Sequence, residues 1–201
     1  MHHVAGSLYA EEHNAYDAER HLTLGTKDSV ELLARLEYDW YSADDSHTAA
    51  QYAARAVFPY LLVGNIRDAS KSLQIFTARL SESNKSLTVQ DINSGGTSVR
   101  LYPSLPLLNF LSLLLLAIQK GSADLFRQLK SHYAVHIKEV GIWDEALETV
   151  AEIYFGISPP RQGNPLLDMM GSMFGGGAAP KKQQKKRVTA TAPAPVAEGL
   201  D

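Results

Sequence analysis

The segment that most constrains the fold covers residues 87–118 and joins two β-like runs to a long apolar run. The β-like runs, Leu87–Ile92 and Thr97–Tyr102, flank the sequence NSGG, a turn signal in which glycine adopts positive φ without a steric penalty. This pattern predicts one β-hairpin at about residues 87–102 of an otherwise helical chain. A two-stranded hairpin is marginally stable alone in water, so we expect it to lie against a neighbouring surface and to form the docking site.

The apolar run that follows extends from Leu105 to Ile118. It has about 14 residues, fewer than the roughly 20 that a bilayer-spanning helix requires, so it predicts a buried helix. We expect Ser104 to cap its start and Lys120-Gly121 to end it. Packing in the core and partner binding are both open for this helix, because different faces can serve each.

Helical periodicity also covers the sequence before the hairpin. An apolar side predicts a first helix over the opening 22 residues, ending at Gly25-Thr26. Asp28 with Glu31 three residues later forms a capping-box pattern that predicts the start of a second helix.

Thr48 and Gln51 give a second capping box, which opens an alanine-rich third helix that Pro59 is expected to kink. The fourth helix has the clearest amphipathic pattern in the chain, with apolar residues at Ile66, Ala69, Leu73, Phe76 and Leu80.

After the long apolar helix, Ser122 is expected to cap a further helix. A last helix is predicted to end at Gly156, and its apolar positions are Ile142, Ala146, Val150 and Ile153.

About seven helices of similar length joined by short turns predict an all-α fold, an α-solenoid of antiparallel helix pairs with one inserted β-hairpin. No strict residue-level repeat is visible, so the array would be at most a degenerate relative of tetratricopeptide repeats. A globular helical bundle is the competing fold.

The composition changes after residue 160, which divides the chain into a helical body at 1–160 and a flexible low-complexity tail at 161–201. The methionine-rich segment at 166–174 either docks on a surface or stays unattached. The lysine-rich run at 181–187 favours a solvated tail over a nuclear-localisation or nucleic-acid patch, because no aromatic residue is interleaved with it.

Composition restricts the function classes. The net charge of −3 implies no polyanionic partner, so neither DNA nor RNA is expected. The chain has no cysteine, which excludes disulfides and thiolate chemistry and fits a reducing compartment. The first residues lack the pattern of a secretory signal, and no run predicts a transmembrane helix.

Catalytic chemistry is not indicated, and we expect no enzyme activity, cofactor or metal. His132 and His136 have the spacing of two metal ligands on one helix face, but Tyr133 stands where the HExxH motif has its glutamate. A helical metalloenzyme would need a third ligand near this pair, and a nucleic-acid binder would depend on the basic tail. Neither alternative explains the hairpin, so the residues favour a scaffold that binds other proteins.

Five stretches of the chain resemble the Golgi-to-ER traffic protein four family in its fungal form. They are AERHLTLGTKDS (18–29), LEYDWY (36–41), AARAVFPYLLVGNIRDA (53–69), PLLNFLSLLLLAIQKG (106–121) and IYFGISPP (153–160). The family fold that the resemblance implies is an α-solenoid interrupted by one hairpin.

The resemblance implies a cytosolic adaptor in the guided entry of tail-anchored proteins. One end would contact the targeting ATPase, and the other would hold the N-terminal domain of a ubiquitin-like protein that recruits a co-chaperone. On this basis the partner-binding residues would be Leu87, Val89, Ile92, Val99, Leu101, Tyr102, Pro103, Leu107, Phe110, Leu111 and Leu114. A helical-repeat module of another chaperone or regulatory complex is the alternative.

One departure from the family pattern bears on function. The chain opens where the family's middle begins, so the helix pairs that contact the ATPase are expected to be missing. We therefore expect binding of the ubiquitin-like partner without tight binding of the ATPase. The apolar side of the first helix is expected to lower solubility, because a solenoid repeat without its neighbour leaves core surface in water.

Overall fold

The computed structural model describes residues 1–44, 47–94 and 97–158. Within these ranges the chain forms nine helices and one antiparallel two-stranded sheet. The helices are α1 (His2–Glu11), α2 (Ala15–Thr23), α3 (Ser29–Ala43), α4 (Ala49–Leu62), α5 (Ile66–Ser83), α6 (Pro106–Gln119), α7 (Ala123–His132), α8 (Ala134–Val140) and α9 (Asp144–Phe155). The strands are β1 (Gln90–Ser94) and β2 (Thr97–Leu101).

The helices stack in successive pairs. Each of α3 and α4 packs against the other and also against the helix two positions along the chain. The C-terminal halves of α3 and α5 lie side by side and are joined by two polar contacts. Arg79 Nη1 of α5 is 3.0 Å from Asp39 Oδ1 of α3, and the Tyr38 hydroxyl of α3 donates to Ser83 of α5. Packing of a helix against the helix two positions along the chain is typical of a solenoid of stacked helix pairs. The predicted all-α solenoid with one inserted hairpin is confirmed.

The prediction of a single first helix is wrong. The chain turns at His13, which has a φ of 59°, and Asn14 then caps α2 by accepting a hydrogen bond from the Asp17 N–H at 3.4 Å. The two helices approach closely at Gly6, where an added Cβ would lie 2.7 Å from Leu22 Cγ. Glycine at this position therefore permits α1 to fold back on α2.

Two of the predicted caps are confirmed. The Gln51 side chain accepts the Thr48 backbone N–H at 2.9 Å, which completes the capping box of α4. Ser122 Oγ accepts the Leu125 N–H at 3.2 Å and caps α7. Helix α4 continues through Pro59, and the predicted kink there stays a prediction.

Two other caps are wrong. The Asp28 side chain makes no cap hydrogen bond, and Ser29 Oγ instead accepts the Thr26 N–H at 3.0 Å in the turn before α3. Ser104 does not cap α6, which follows Leu105 and begins with Pro106. Proline suits the first helical position because it has no N–H to leave unpaired there.

The helical region after α6 is more divided than the sequence predicts. A separate helix, α8, follows α7 and ends at Gly141, which adopts the left-handed conformation. Of the apolar positions predicted for the last helix, Ile142 and Ile153 are 75% and 47% exposed. Helix α9 buries the predicted Val150 together with Leu147 and Ala151, and it ends at Gly156 as predicted.

The core runs along α4, α5 and α6 and is completed by residues of the flanking helices. Small alanines of α4 allow close packing, while large side chains of α5 and α6 fill the space between the pairs. Among the described residues, no helix combines the length and the apolar character needed to cross a bilayer.

Several predictions concern residues outside the described ranges. These are the hairpin glycines at 95–96, the methionine-rich segment at 166–174 and the lysine-rich run at 181–187. The division of the chain at residue 160 likewise stays a prediction.

Candidate functional site

The hairpin projects from the stack between α5 and α6. Its first strand begins later than predicted, at Gln90 rather than Leu87, while β2 begins at Thr97 as predicted, and the two pair in antiparallel register with Ile92 opposite Val99. Strand β2 leads directly to Tyr102, which is completely buried and connects the hairpin to the helices. The position of the hairpin therefore depends on how Tyr102 is held.

Tyr102 is held at both its backbone and its side chain. Asn109 of α6 accepts the Tyr102 N–H at 2.7 Å and donates to the Tyr102 carbonyl at 2.8 Å, both in buried positions. The Tyr102 hydroxyl lies 3.2 Å from Ser81 Oγ and donates to the Thr77 carbonyl of α5 at 3.5 Å. Because every buried polar group here has a partner, the base of the hairpin is fixed to α5 and α6.

The eleven predicted partner-binding residues fall into three groups by exposure. Four are completely buried and belong to the core: Tyr102, Phe110, Leu111 and Leu114. Four are half-buried: Leu87, Val99, Leu101 and Leu107. Three are exposed: Val89, Ile92 and Pro103.

Of the buried group, Tyr102 anchors the hairpin, and the three α6 residues pack in the helical core. Phe110 contacts Trp143 and Tyr133, with ring centroids 6.1 Å and 5.6 Å away, and thus packs towards the C-terminal helices. A partner molecule reaches only the exposed and half-buried residues in this arrangement. Val89, just before β1, and Ile92, on β1, are 36% and 48% exposed, so both side chains are accessible to a partner.

A groove of about 420 Å³ lies between the hairpin, α5 and α6. Of the predicted residues, Val99 and Tyr102 line it, whereas Leu107, Phe110, Leu111 and Leu114 do not. Sequence reasoning missed the α5 wall and the polar face of α6, which supply Ser70, Leu73, Gln74, Thr77, Ser112, Leu115, Leu116 and Gln119. The polar residues at 112 and 119 of α6 were the available signal, since both line the groove, although the polar Asn109 of the same helix is buried.

The groove combines apolar walls with polar and charged groups. Gln119 donates to Ser70 Oγ at 3.1 Å and connects α6 to α5 along one wall. On the hairpin side, Arg100 Nε lies 3.2 Å from Asp91 Oδ1 across the two strands. Hydrogen bonds to Asp91 and Tyr102 raise the pKa of Arg100, so the guanidinium stays charged. Such a lining suits an amphipathic protein segment.

The histidine spacing that resembles a metal motif is not preserved in the fold. His132 is the last residue of α7, while His136 lies on the separate helix α8. His136 Nδ1 is 3.6 Å from Glu139, and His132 contacts the Tyr133 ring. In the described part of the chain, no group of three or more histidine, aspartate or glutamate side chains is arranged to hold a metal ion.

The chain is similar in sequence to proteins of one family. A profile of the family described as Golgi to ER traffic protein 4 matches residues 1–174. The chain is 65% identical over 177 residues to Golgi to ER traffic protein 4 of Aspergillus fumigatus, covering 88% of this chain and 51% of that protein. It is 29% identical over 184 residues to the Schizosaccharomyces pombe protein of the same name, covering 91% of this chain and 59% of that protein.

A solved structure is also similar. The crystal structure of C. therm. Get4 superimposes with a TM-score of 0.76 at 60% sequence identity, covering 92% of this chain and 59% of that one. The chain thus spans little more than half the length of these relatives. Since the profile match covers most of its residues, the chain belongs to the Golgi to ER traffic protein 4 family.

Proposed function

We propose that this chain is the partner-holding part of a non-enzymatic scaffold in the targeting of tail-anchored membrane proteins to the ER. The observation that carries the proposal is the hairpin, which is fixed at its base by Asn109 and Tyr102 and borders an open groove, with Ile92 of β1 and the preceding Val89 exposed. Membership of a family named for Golgi-to-ER traffic supports the pathway. The scaffold would act in the cytosol.

The proposed partner is the N-terminal domain of a ubiquitin-like protein of the guided-entry pathway. It would contact the accessible members of the predicted site: Leu87, Val89, Ile92, Val99, Leu101, Pro103 and Leu107. The buried members would act indirectly, by holding the hairpin in position. Buried apolar anchors at the centre of such an interface would supply most of the affinity.

A co-chaperone would join the complex through the ubiquitin-like protein. The targeting ATPase is a proposed partner of the longer relatives, because this chain spans only part of their length. We expect residues 1–201 to bind the ubiquitin-like domain without binding the ATPase tightly.

The decisive experiment is calorimetric titration of the full chain with the N-terminal domain of the ubiquitin-like partner. The test variant is Val89→Asp with Ile92→Asp, which places two charges on the exposed hairpin surface. The matched control is Val135→Asp with Ile142→Asp, since these residues are also apolar and are 68% and 75% exposed. We expect tight binding by the parent and the control, and at least a tenfold loss, about 1.4 kcal/mol, in the hairpin variant.

Circular dichroism of all three proteins separates lost binding from lost folding. Equal loss in the hairpin and control variants would contradict the proposed site, and no binding by a folded parent would contradict the proposed partner. Substitutions at Phe110 are unsuitable for this test, because its side chain is fully buried and a charge there would unfold the protein.

A further inference from the structure

Two histidines at the opposite ends of the α1–α2 pair face each other. His2 opens α1 and His21 lies in the last turn of α2, and the antiparallel packing of the two helices brings these ends together. The two Nδ1 atoms are 3.0 Å apart, and the ring centroids are 5.2 Å apart with the planes tilted by 37°. Imidazole nitrogens that face each other at this distance either share a proton or ligate one metal ion.

The separation of the nitrogens suits ligation. Zinc–nitrogen bonds of about 2.0–2.1 Å place two ligands about 3.4 Å apart at a tetrahedral angle, and about 2.9 Å apart at a right angle. The observed 3.0 Å lies between these values. A small rotation of either side chain would therefore complete the geometry without moving the helices.

The surroundings hold one ring in place, and the histidine pair is exposed to solvent. The Tyr9 ring stacks on His21, with centroids 5.5 Å apart and planes 13° from parallel. His3 is engaged elsewhere, because its Nδ1 lies 2.9 Å from Ser29 Oγ. Neither helix brings a third ligand from the described residues, so water would fill the other positions.

We propose that the Nδ1 atoms of His2 and His21 bind one divalent transition-metal ion of the zinc class. The ion would connect the start of α1 to the end of α2. This connection matters because Gly6 is the only buried residue of α1, so the helix has little apolar burial to hold it. Hard ions such as Mg²⁺ would not bind, because they prefer oxygen ligands.

The test is calorimetric titration of the full chain with ZnCl₂, using chelator-treated protein that carries no added histidine tag. His21→Asn is the main variant, because the asparagine amide keeps a hydrogen-bonding group near the Nδ1 position but is a poor zinc ligand. His132→Asn is the matched control, since His132 is an exposed histidine at the end of another helix. His2→Asn provides a second, independent removal of one ligand.

We expect saturable binding of one zinc ion by the parent and by His132→Asn, and binding at least about tenfold weaker in both His21→Asn and His2→Asn. Zinc should also raise the unfolding temperature of the parent and the control, but not of the two ligand variants. Absence of saturable binding at millimolar zinc would overturn the proposal and leave a hydrogen bond between the histidines. Unchanged binding in the ligand variants would overturn it equally.

Discussion

At the level of single residues, Glu37 has the least expected environment. Its side chain on α3 is completely buried, and neither carboxyl oxygen has a hydrogen-bond partner. Arg55 of α4 lies beside it, with Nε 3.5 Å from Glu37 Oε2, but its guanidinium is bound by both oxygens of Glu19, at 2.5 and 2.6 Å. Burial, with the adjacent Glu19 carboxylate, raises the pKa of Glu37 to about 10.

The Arg55 guanidinium is shared among several partners. Its carbon lies 4.6 Å from the Trp40 ring centroid and 5.1 Å from that of Tyr16. These cation–π contacts and the Glu19 bonds hold Arg55 at the junction of α2, α3 and α4. Because Glu19 already provides the counter-charge of Arg55, Glu37 is most stable as the neutral acid.

The Glu37 environment predicts a pH dependence of stability. The unfolded chain releases this proton near pH 4.5, whereas the folded protein keeps it to about pH 10. The contribution of this protonated carboxyl to the free energy of unfolding is therefore complete below about pH 4.5, and it decreases as the pH rises from there to about pH 10. Glu37→Gln, which is always neutral, should raise the free energy of unfolding at pH 9 by on the order of 1–2 kcal/mol and flatten its pH dependence.

Urea unfolding of the parent and Glu37→Gln at pH 6 and pH 9 checks this prediction. Glu31→Gln is the control, because Glu31 is an exposed residue of the same helix. A Glu37→Gln protein less stable than the parent at pH 9 would show that the buried carboxyl is charged.

At the level of elements, the attachment of the hairpin depends on Asn109. Its amide pairs with both backbone groups of Tyr102, and it is 8% exposed. An asparagine within the apolar run of α6 breaks the hydrophobic pattern, yet it lies on the buried face. Its role depends on a residue seven positions away, so helical periodicity alone does not reveal it.

Asn109→Ala should lower the free energy of unfolding by about 2–4 kcal/mol, because two buried backbone groups of Tyr102 lose their partners. Asn109→Asp keeps the acceptor but turns an oxygen towards the Tyr102 carbonyl, so it should also be destabilised. Ser112→Ala is the control, since its hydroxyl bonds only within α6, to the Leu108 carbonyl. Urea unfolding measures all three, and parent-like stability of Asn109→Ala would contradict this role.

At the level of the whole molecule, the exposed apolar surface of α1 predicts that the protein has low solubility. Val4 and Leu8 lie one turn apart and are 62% and 55% exposed. This agrees with the apolar side expected for the first helix. An exposed apolar stripe of this kind favours association between molecules.

Val4→Lys with Leu8→Lys should raise the protein concentration at which precipitation begins, without changing the helical circular dichroism. The control Val135→Lys with Ile142→Lys removes two apolar residues that are at least as exposed from another region. A larger gain in solubility from the control variant than from the α1 variant would show that the apolar surface of α1 does not limit solubility. Precipitation measured against concentration in ammonium sulfate gives the comparison.

The sequence by itself determined the elements whose signals are local. The helix starts at Thr48 and Ser122, the stop at Gly156 and the amphipathic α5 all depend on side chains within one or two turns. The hairpin was predictable for the same reason, although β1 begins three residues later than expected. Stretches shared with the Golgi to ER traffic protein 4 family supplied the rest of the architecture.

Only the tertiary structure decided which residues meet. Packing split the first helix at His13 and buried Phe110 against Tyr133 and Trp143 in the helical core. It also brought α5 to the groove and enclosed Glu37, an ionisable residue on the apolar side of α3. These outcomes depend on contacts between distant segments, and an apolar helix such as α6 does not encode locally which of its faces a neighbour will cover.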